Sequence, residues 1–110
     1  MCIRDRGNLS YGDIALLEIA IALSMKPKLL LLDEPVAGMS PEETEAIVSK
    51  IKELSKQVDI VLIEHDMNVV FDVSDYVSVL VYGKIIATGF PNDNRNNVEV
   101  QKAYLGTDLL

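Results

Sequence analysis

The stretch LLLLDEPV, residues 29–36, ends the most apolar part of the chain with two adjacent acids and a proline. The run from Lys28 to Asp33 is too short for a helix and suits a buried strand of a parallel sheet, covered on both faces. A parallel strand delivers its carboxyl end to the edge of an α/β sheet where ligands bind, so Asp33 and Glu34 face that edge. With Mg²⁺ and a nucleotide, the first acid holds the metal and the second activates water. The alternative is two solvated acids that merely end a strand.

Composition narrows the classes of protein that this chain could be. Its 110 residues are 49% hydrophobic and 25% charged, which indicates a globular domain or part of one. The formal charge of -7 argues against a nucleic-acid partner, because a phosphate backbone attracts a clustered basic face. A single cysteine, Cys2, cannot form an internal disulfide, and no apolar run reaches the roughly 20 residues that cross a bilayer. We expect a protein of the reducing cytoplasm with no membrane span.

The segments alternate between helix and strand. Ser10 opens a capping-box-like pattern before a mostly buried helix that runs to Met25, and Ser40 with Pro41 opens an amphipathic helix. Asp59–Glu64 reads as a second buried strand, so strand, helix and strand form a right-handed parallel crossover. The rest of the sequence predicts a helix capped by Asp66 and ending at Val73, followed by an antiparallel edge hairpin of Tyr76–Tyr82 and Ile85–Thr88. A loop is predicted at Pro91–Asn97. The last predicted helix is Val98–Leu105, which Gly106 stops.

Two further motifs add chemistry to the strand-end acids. Glu64-His65-Asp66 follows the second strand, which predicts an imidazole on the same sheet edge as the acids. Leu9-Ser10-Tyr11-Gly12 precedes a helix N-terminus, where free N–H groups and a hydroxyl favour an anion. A structural histidine and an ordinary N-cap are the alternatives.

In this order and spacing, the motifs resemble the C-terminal half of an ABC-transporter ATPase subunit. LSYGD is similar to the family signature, LLLLDEP to the Walker B strand, AGMSP to the D-loop, and His65 to the switch histidine. The sequences of these motifs most resemble those of ATPase subunits that energise import of branched-chain amino acids. The subunits of urea or short-amide importers share much of the same sequence. The resemblance implies an α/β fold, the C-terminal half of a P-loop NTPase-type domain with parallel strands, flanking helices and an edge hairpin.

The resemblance also implies roles for particular residues. Asp33 coordinates Mg²⁺ through water, Glu34 is the general base, and His65 senses the γ-phosphate. Two segments face the ATP of a partner subunit: the signature residues Leu9, Ser10, Tyr11 and Gly12, and the D-loop residues Ala37, Gly38, Met39 and Ser40. The implied cofactors are ATP and Mg²⁺. The implied partners are a second ATPase subunit, identical or not, membrane permease subunits and, indirectly, a periplasmic binding protein, at the cytoplasmic face of the membrane.

The chain departs from the family pattern at several places. Asp13 stands where glutamine is usual, Ile21 where arginine is common, and Ser40 where the D-loop has aspartate. No G-x-x-x-x-G-K-[S/T] phosphate loop is present among the 110 residues, and the one Gly-Lys pair, Gly83-Lys84, is followed by isoleucine. The first six residues, MCIRDR, fit nothing that follows. We therefore expect residues 1–6 to be a non-native leader, residues 7–110 to be the C-terminal part of the domain, and the isolated chain to be inactive.

Two other classes of protein use similar groups. A small acidic Mg²⁺-binding α/β module needs further acids after its first strand and a lysine after a late one, which the order of motifs here does not supply. A non-transport ABC protein shares the signature and Walker B strand but usually carries a second cassette or a coiled-coil insertion, which these residues lack.

Overall fold

A computed structural model describes residues 10–105 of the chain. Residues 1–9 and 106–110 lie outside the described part, and with them the expected leader, Leu9 and the predicted helix stop at Gly106. The chain divides after Ile63 into two compact units. Among the described residues, no helix combines the length and apolar character that a membrane span requires.

The first unit contains two helices and a pair of parallel strands. Its elements are helix α1 (Tyr11–Ser24), strand β1 (Leu29–Asp33), helix α2 (Pro41–Leu54) and strand β2 (Asp59–Ile63). Strands β1 and β2 pair in parallel with Leu31 opposite Val61 and Asp33 opposite Ile63. The predicted parallel strand–helix–strand arrangement is thus confirmed, and it brings the carboxyl ends of both strands to one edge.

Both helices of this unit begin where the sequence predicts. The Ser10 hydroxyl oxygen accepts a hydrogen bond from the Asp13 N–H at 3.1 Å, which caps α1. At α2, Ser40 and Glu43 form a complete capping box ahead of the amphipathic face. That face buries four apolar side chains: Ile47, Val48, Ile51 and Leu54.

Three predictions about burial in this unit are wrong. Strand β2 was predicted to be buried, but none of its residues is buried. Strand β1 is not covered on both faces, because burial alternates along it: Leu30 is buried whereas Leu31 is 69% exposed. Helix α1 is not mostly buried either, since only Gly12, Ala15 and Ile19 are buried along it. The apolar composition of these segments predicted elements covered all round, but the described residues cover one side of each.

The second unit is built around an antiparallel hairpin. Its elements are helix α3 (Met67–Val73), strands β3 (Val77–Val81) and β4 (Lys84–Gly89), short helices α4 (Pro91–Arg95) and α5 (Val98–Val100), and a π-helical segment (Gln101–Leu105). The Asp66 cap and the hairpin are as predicted. The hairpin turns at Gly83, whose φ of +77° is a conformation that favours glycine. A small apolar core joins these elements: Met67, Val70, Val77, Val79 and Val100.

The predicted loop at Pro91–Asn97 is wrong, because helix α4 occupies most of it. Pro91 stands at the first helical turn, where its missing N–H costs nothing. The buried Asn94 side chain then donates hydrogen bonds to the carbonyl oxygens of Val77 at 3.1 Å and Gly89 at 3.3 Å. This amide holds α4 against the open end of the hairpin, where Val77 pairs with Gly89. The predicted last helix is also divided, into α5 and the π-helical segment.

Candidate functional site

The strand-end acids are exposed and adjacent, at the edge that the parallel pairing defines. Asp33 is the last residue of β1, and the N–H of Glu34 donates to the Ile63 carbonyl at 2.7 Å, which extends the ladder by one bond. Glu34 has a φ of +48°, in the left-handed region that side chains other than glycine rarely adopt. The strand therefore ends abruptly at Glu34, and the two carboxylates do not follow the alternating directions of a continuing strand.

A cleft of about 330 Å³ runs along the first unit beside these acids. Helix α1 and strand β1 supply most of its walls, and three carboxylates, those of Glu18, Asp33 and Glu34, line it. No basic side chain is among the described residues that line the cleft. Because like charges close together are unfavourable, this lining suits a cation or a metal-bound ligand far better than a bare anion.

The described signature residues lie at the start of α1. Ser10 is exposed at the N-cap, and Tyr11 is 65% exposed at the first helical position. Gly12 is buried, and its N–H donates to Oε2 of Glu43 at 2.8 Å. The predicted signature segment thus has an exposed side, formed by Ser10 and Tyr11, and a buried side at Gly12.

The D-loop residues connect the acids to helix α2. The N–H of Ala37 donates to the Glu34 carbonyl at 3.2 Å, and Gly38 adopts a φ of +76°. A Cβ atom added at Gly38 would lie 3.8 Å from Cε2 of Tyr11, so the tyrosine ring passes close to this turn. Met39 is half-buried, and Ser40 caps α2. The structure therefore brings the predicted signature and D-loop segments together within the first unit.

Glu43 also belongs to this site, although its position in the sequence indicates only a place in the capping box of Ser40. Its carboxylate accepts the N–H groups of Gly12 at 2.8 Å and Ser40 at 3.5 Å. The hydrogen bond from Gly12 lowers the pKa of Glu43 most, desolvation opposes the shift, and hydrogen bonds from Ser40 and Ser10 lower the pKa further. The side chain is consequently an anion at neutral pH, placed at the N-terminus of α1, where the helix dipole favours negative charge.

His65 lies at the start of the second unit, two residues after the end of β2. Its side chain is exposed, and its own N–H donates to Oε1 of Glu64 at 3.2 Å. The Glu64 side chain is 1% exposed, so this carboxylate is buried. The predicted proximity of His65 to Asp33 and Glu34 stays a prediction.

Comparison with known proteins shows which proteins this chain is similar to. The ABC transporter family profile matches residues 2–37. The chain is 45% identical over 105 residues to the high-affinity branched-chain amino acid transport ATP-binding protein LivG of Escherichia coli and 43% identical to BraF of Pseudomonas aeruginosa. Each alignment covers 94% of this chain and 41% of the relative, so the chain spans about two fifths of those proteins' length.

Solved structures agree with the sequence relatives. An ATP-binding cassette of an ABC transporter in its ADP conformation is 33% identical, with a TM-score of 0.80 over 91% of this chain and 41% of that one. The protein cbiO1 of Clostridium perfringens, part of the ABC transporter complex cbiONQ, is also 33% identical, with a TM-score of 0.76 over 94% of this chain and 42% of its own. The chain is therefore similar over most of its length to ABC transporter ATP-binding proteins, as its motifs predict, and the predicted fold class is confirmed. Among those proteins, its similarity to the ATP-binding proteins of branched-chain amino acid transport is confirmed as well.

Proposed function

We propose that this chain forms the catalytic and dimer-facing part of an ATP-hydrolysing subunit that energises import of branched-chain amino acids. One observation carries the proposal. Asp33 and Glu34 stand side by side at the carboxyl edge of a parallel strand pair, with Glu34 held in a left-handed backbone conformation. Strained backbone that the surrounding hydrogen bonds maintain is concentrated at functional sites.

In this proposal the two acids have different roles. Mg²⁺ is usually held by one or two carboxylates, with substrate phosphates and water completing its octahedron, and the donors at the strand end fit that requirement. Among residues 10–105, no larger cluster of three or more His, Cys, Asp or Glu side chains could hold a metal ion. Asp33 would hold hydrated Mg²⁺, which neutralises phosphate charge when bound. Glu34 would take the proton of the attacking water, and His65 would sense the γ-phosphate.

The signature and D-loop segments are proposed to face a second subunit. Leu9, Ser10, Tyr11 and Gly12 would contact the ATP held by that subunit, and residues 37–40 would transmit its state to the acids. The exposure of Ser10 and Tyr11 at a helix start supports this role, because this side of the segment is open to a ligand and the helix dipole there favours an anion. The intact protein would be peripheral, at the cytoplasmic face, with permease subunits and a periplasmic binding protein.

The role of Glu34 can be tested in the intact subunit, which includes the segment that carries the phosphate loop. Glu34→Gln should keep ATP binding but slow hydrolysis about 100-fold or more, because a positioned proton acceptor is lost. The matched control is Glu45→Gln, the same change at an exposed site on α2. Turnover in Glu34→Gln equal to that of the unaltered subunit would assign Glu34 a structural role instead.

The substrate is tested with the intact subunit reconstituted in liposomes with the neighbouring permease and binding protein. We expect ATP-dependent leucine uptake that Ser10→Arg abolishes, because a bulky cation at this helix start would block the partner's γ-phosphate. Ser49→Arg, the same change at an exposed position of α2, serves as the matched control. Vesicles that take up urea and not leucine would contradict the substrate while leaving the ATPase function in place.

A further inference from the structure

The side chain of Glu43 is a direct physical link between the start of α1 and the end of the D-loop. Its Oε2 atom accepts the Gly12 N–H at 2.8 Å, across 31 positions of sequence. Its Oε1 atom accepts the Ser40 N–H at 3.5 Å, and its own N–H donates to Ser40 Oγ at 3.2 Å. One carboxylate thus fixes two backbone segments that belong to different motifs.

The packing around Gly12 leaves this link little freedom. A Cβ atom at Gly12 would lie 3.0 Å from Oε2 and 3.6 Å from Cβ and Cγ of Glu43. Any larger residue at this position would push the carboxylate away from the helix start. A second contact between the same two segments, the Tyr11 ring near Gly38, is independent of Glu43. The segments are therefore held together at two points.

The carboxylate approaches α1 from its buried side. Gly12 is buried, whereas Ser10 and Tyr11 are exposed on the side open to solvent. Because Ser40 holds the other carboxylate oxygen, Glu43 is tethered twice and does not extend as a free arm. This geometry suits a fixed support behind the signature segment and leaves the solvent-facing side of that segment accessible.

We propose that Glu43 is a positioning residue, whose contacts with Gly12 and Ser40 hold the signature and D-loop segments in the one arrangement that can engage a partner subunit's nucleotide. This inference rests on the proposed function, since it needs two subunits that close on ATP. Glu43 touches neither nucleotide nor metal in this scheme. It lowers the cost of ordering two segments when the subunits pair, which is how preorganisation raises affinity.

The experiment measures ATP-driven pairing of the intact subunit in the Glu34→Gln background, where slow hydrolysis preserves the closed dimer. Glu43→Ala should raise the dimer dissociation constant about tenfold, within the range for loss of hydrogen bonds to a charged group. Glu43→Gln should weaken pairing less than Glu43→Ala does, because its one amide oxygen can accept the Gly12 N–H while its NH2 group cannot accept the Ser40 N–H. Glu42→Ala removes the neighbouring exposed acid of the same helical turn and should change nothing.

Two further measurements separate positioning from loss of fold. Glu43→Asp keeps the charge and the first-turn acid but is one methylene too short to reach Gly12, so it should pair as weakly as Glu43→Ala. Affinity of the monomer for ATP should be unchanged in every variant.

If the parent pairs on ATP and both Glu43→Ala and Glu43→Asp pair as tightly as the parent, the positioning role is overturned. Tighter pairing in Glu43→Gln would overturn it too, because it would identify the carboxylate as a competitor of phosphate. A parent that does not pair at all contradicts the proposed function, and the role of Glu43 with it.

Discussion

The backbone of Glu34 is in a conformation that costs free energy and yet is well supported. A residue with a Cβ atom pays about 1–2 kcal/mol in the left-handed region. The bond from its N–H to the Ile63 carbonyl, 2.7 Å long, and the bond from Ala37 to its own carbonyl hold it there. A glycine at this place would avoid the penalty, and a carboxylate stands there instead. A side chain at a position whose positive φ favours glycine is expected where function requires that side chain.

This strain predicts opposite effects for two neighbouring substitutions. Glu34→Gly should raise the free energy of unfolding of the chain by about 1 kcal/mol, because glycine adopts a positive φ without a Cβ clash. Asp33→Gly, in the extended strand next to it, should lower that free energy by about 0.5–1 kcal/mol, because glycine loses more backbone entropy there. Urea unfolding followed by circular dichroism measures both. A loss of stability in Glu34→Gly as large as that in Asp33→Gly would show that residue 34 is not strained.

Glu43 illustrates which site residues the sequence could and could not reveal. Asp33 and Glu34 were predicted because they directly follow an apolar strand, a signal contained within six positions. The capping role of Glu43 was equally local, since serine precedes it by three positions. Its bond to Gly12 spans 31 positions and depends on how α1 packs against α2. No pattern in one sequence states that packing, so this link required the structure.

At the scale of elements, starts and turns were predicted well because their causes are local. Ser10, Ser40 and Asp66 each cap a helix with their own side chain, within three residues of the bonded N–H. The hairpin was predicted from alternating β-branched residues and a Gly83 turn, and the structure has the same turn. These signals need no knowledge of the rest of the molecule.

Helix α4 was missed because its stability comes from outside the segment. The residues from Pro91 to Asn97 are nearly all polar, and four asparagines favour turns in isolation. Burial of Asn94, at 2% exposure, with hydrogen bonds to Val77 and Gly89, fixes the turn of helix against the hairpin. Arg95 adds a contact over the Phe71 ring, 5.0 Å from its centroid. Tertiary contacts outweighed local propensity here.

The exposed apolar faces were mispredicted for a related reason. The apolar runs of α1 and β1 correctly predicted a helix and a strand, but apolar composition does not say which neighbours are present. Leu31 on β1 and Ile63 on β2 share one face of the parallel pair and are 69% and 56% exposed. The opposite face carries the buried Leu30. Composition therefore predicted the type of element and not the extent of its cover.

At the scale of the whole molecule, charge sets what the cleft can bind. The chain carries a formal charge of -7, and the carboxylates beside the cleft have no basic neighbour among its lining residues. A triphosphate approaching Asp33 and Glu34 would meet like charge unless cations from elsewhere offset it. In phosphate-loop enzymes, a lysine and backbone N–H groups supply that compensation together with Mg²⁺. The 110 residues contain no such loop.

We therefore expect the 110-residue chain alone to release no phosphate from ATP above background. Its acids can engage hydrated Mg²⁺, but nothing that lines the described cleft holds the triphosphate in line with an attacking water, and positioning supplies most of the catalysis in phosphoryl transfer. A phosphate-release assay with Mg-ATP measures the turnover of the chain. The intact subunit at equal concentration is the positive control, and Glu34→Gln is the matched variant in both proteins. Sustained turnover by the chain that disappears in Glu34→Gln would mean that these residues form a complete hydrolytic site, and the division of labour proposed for the intact subunit would be wrong.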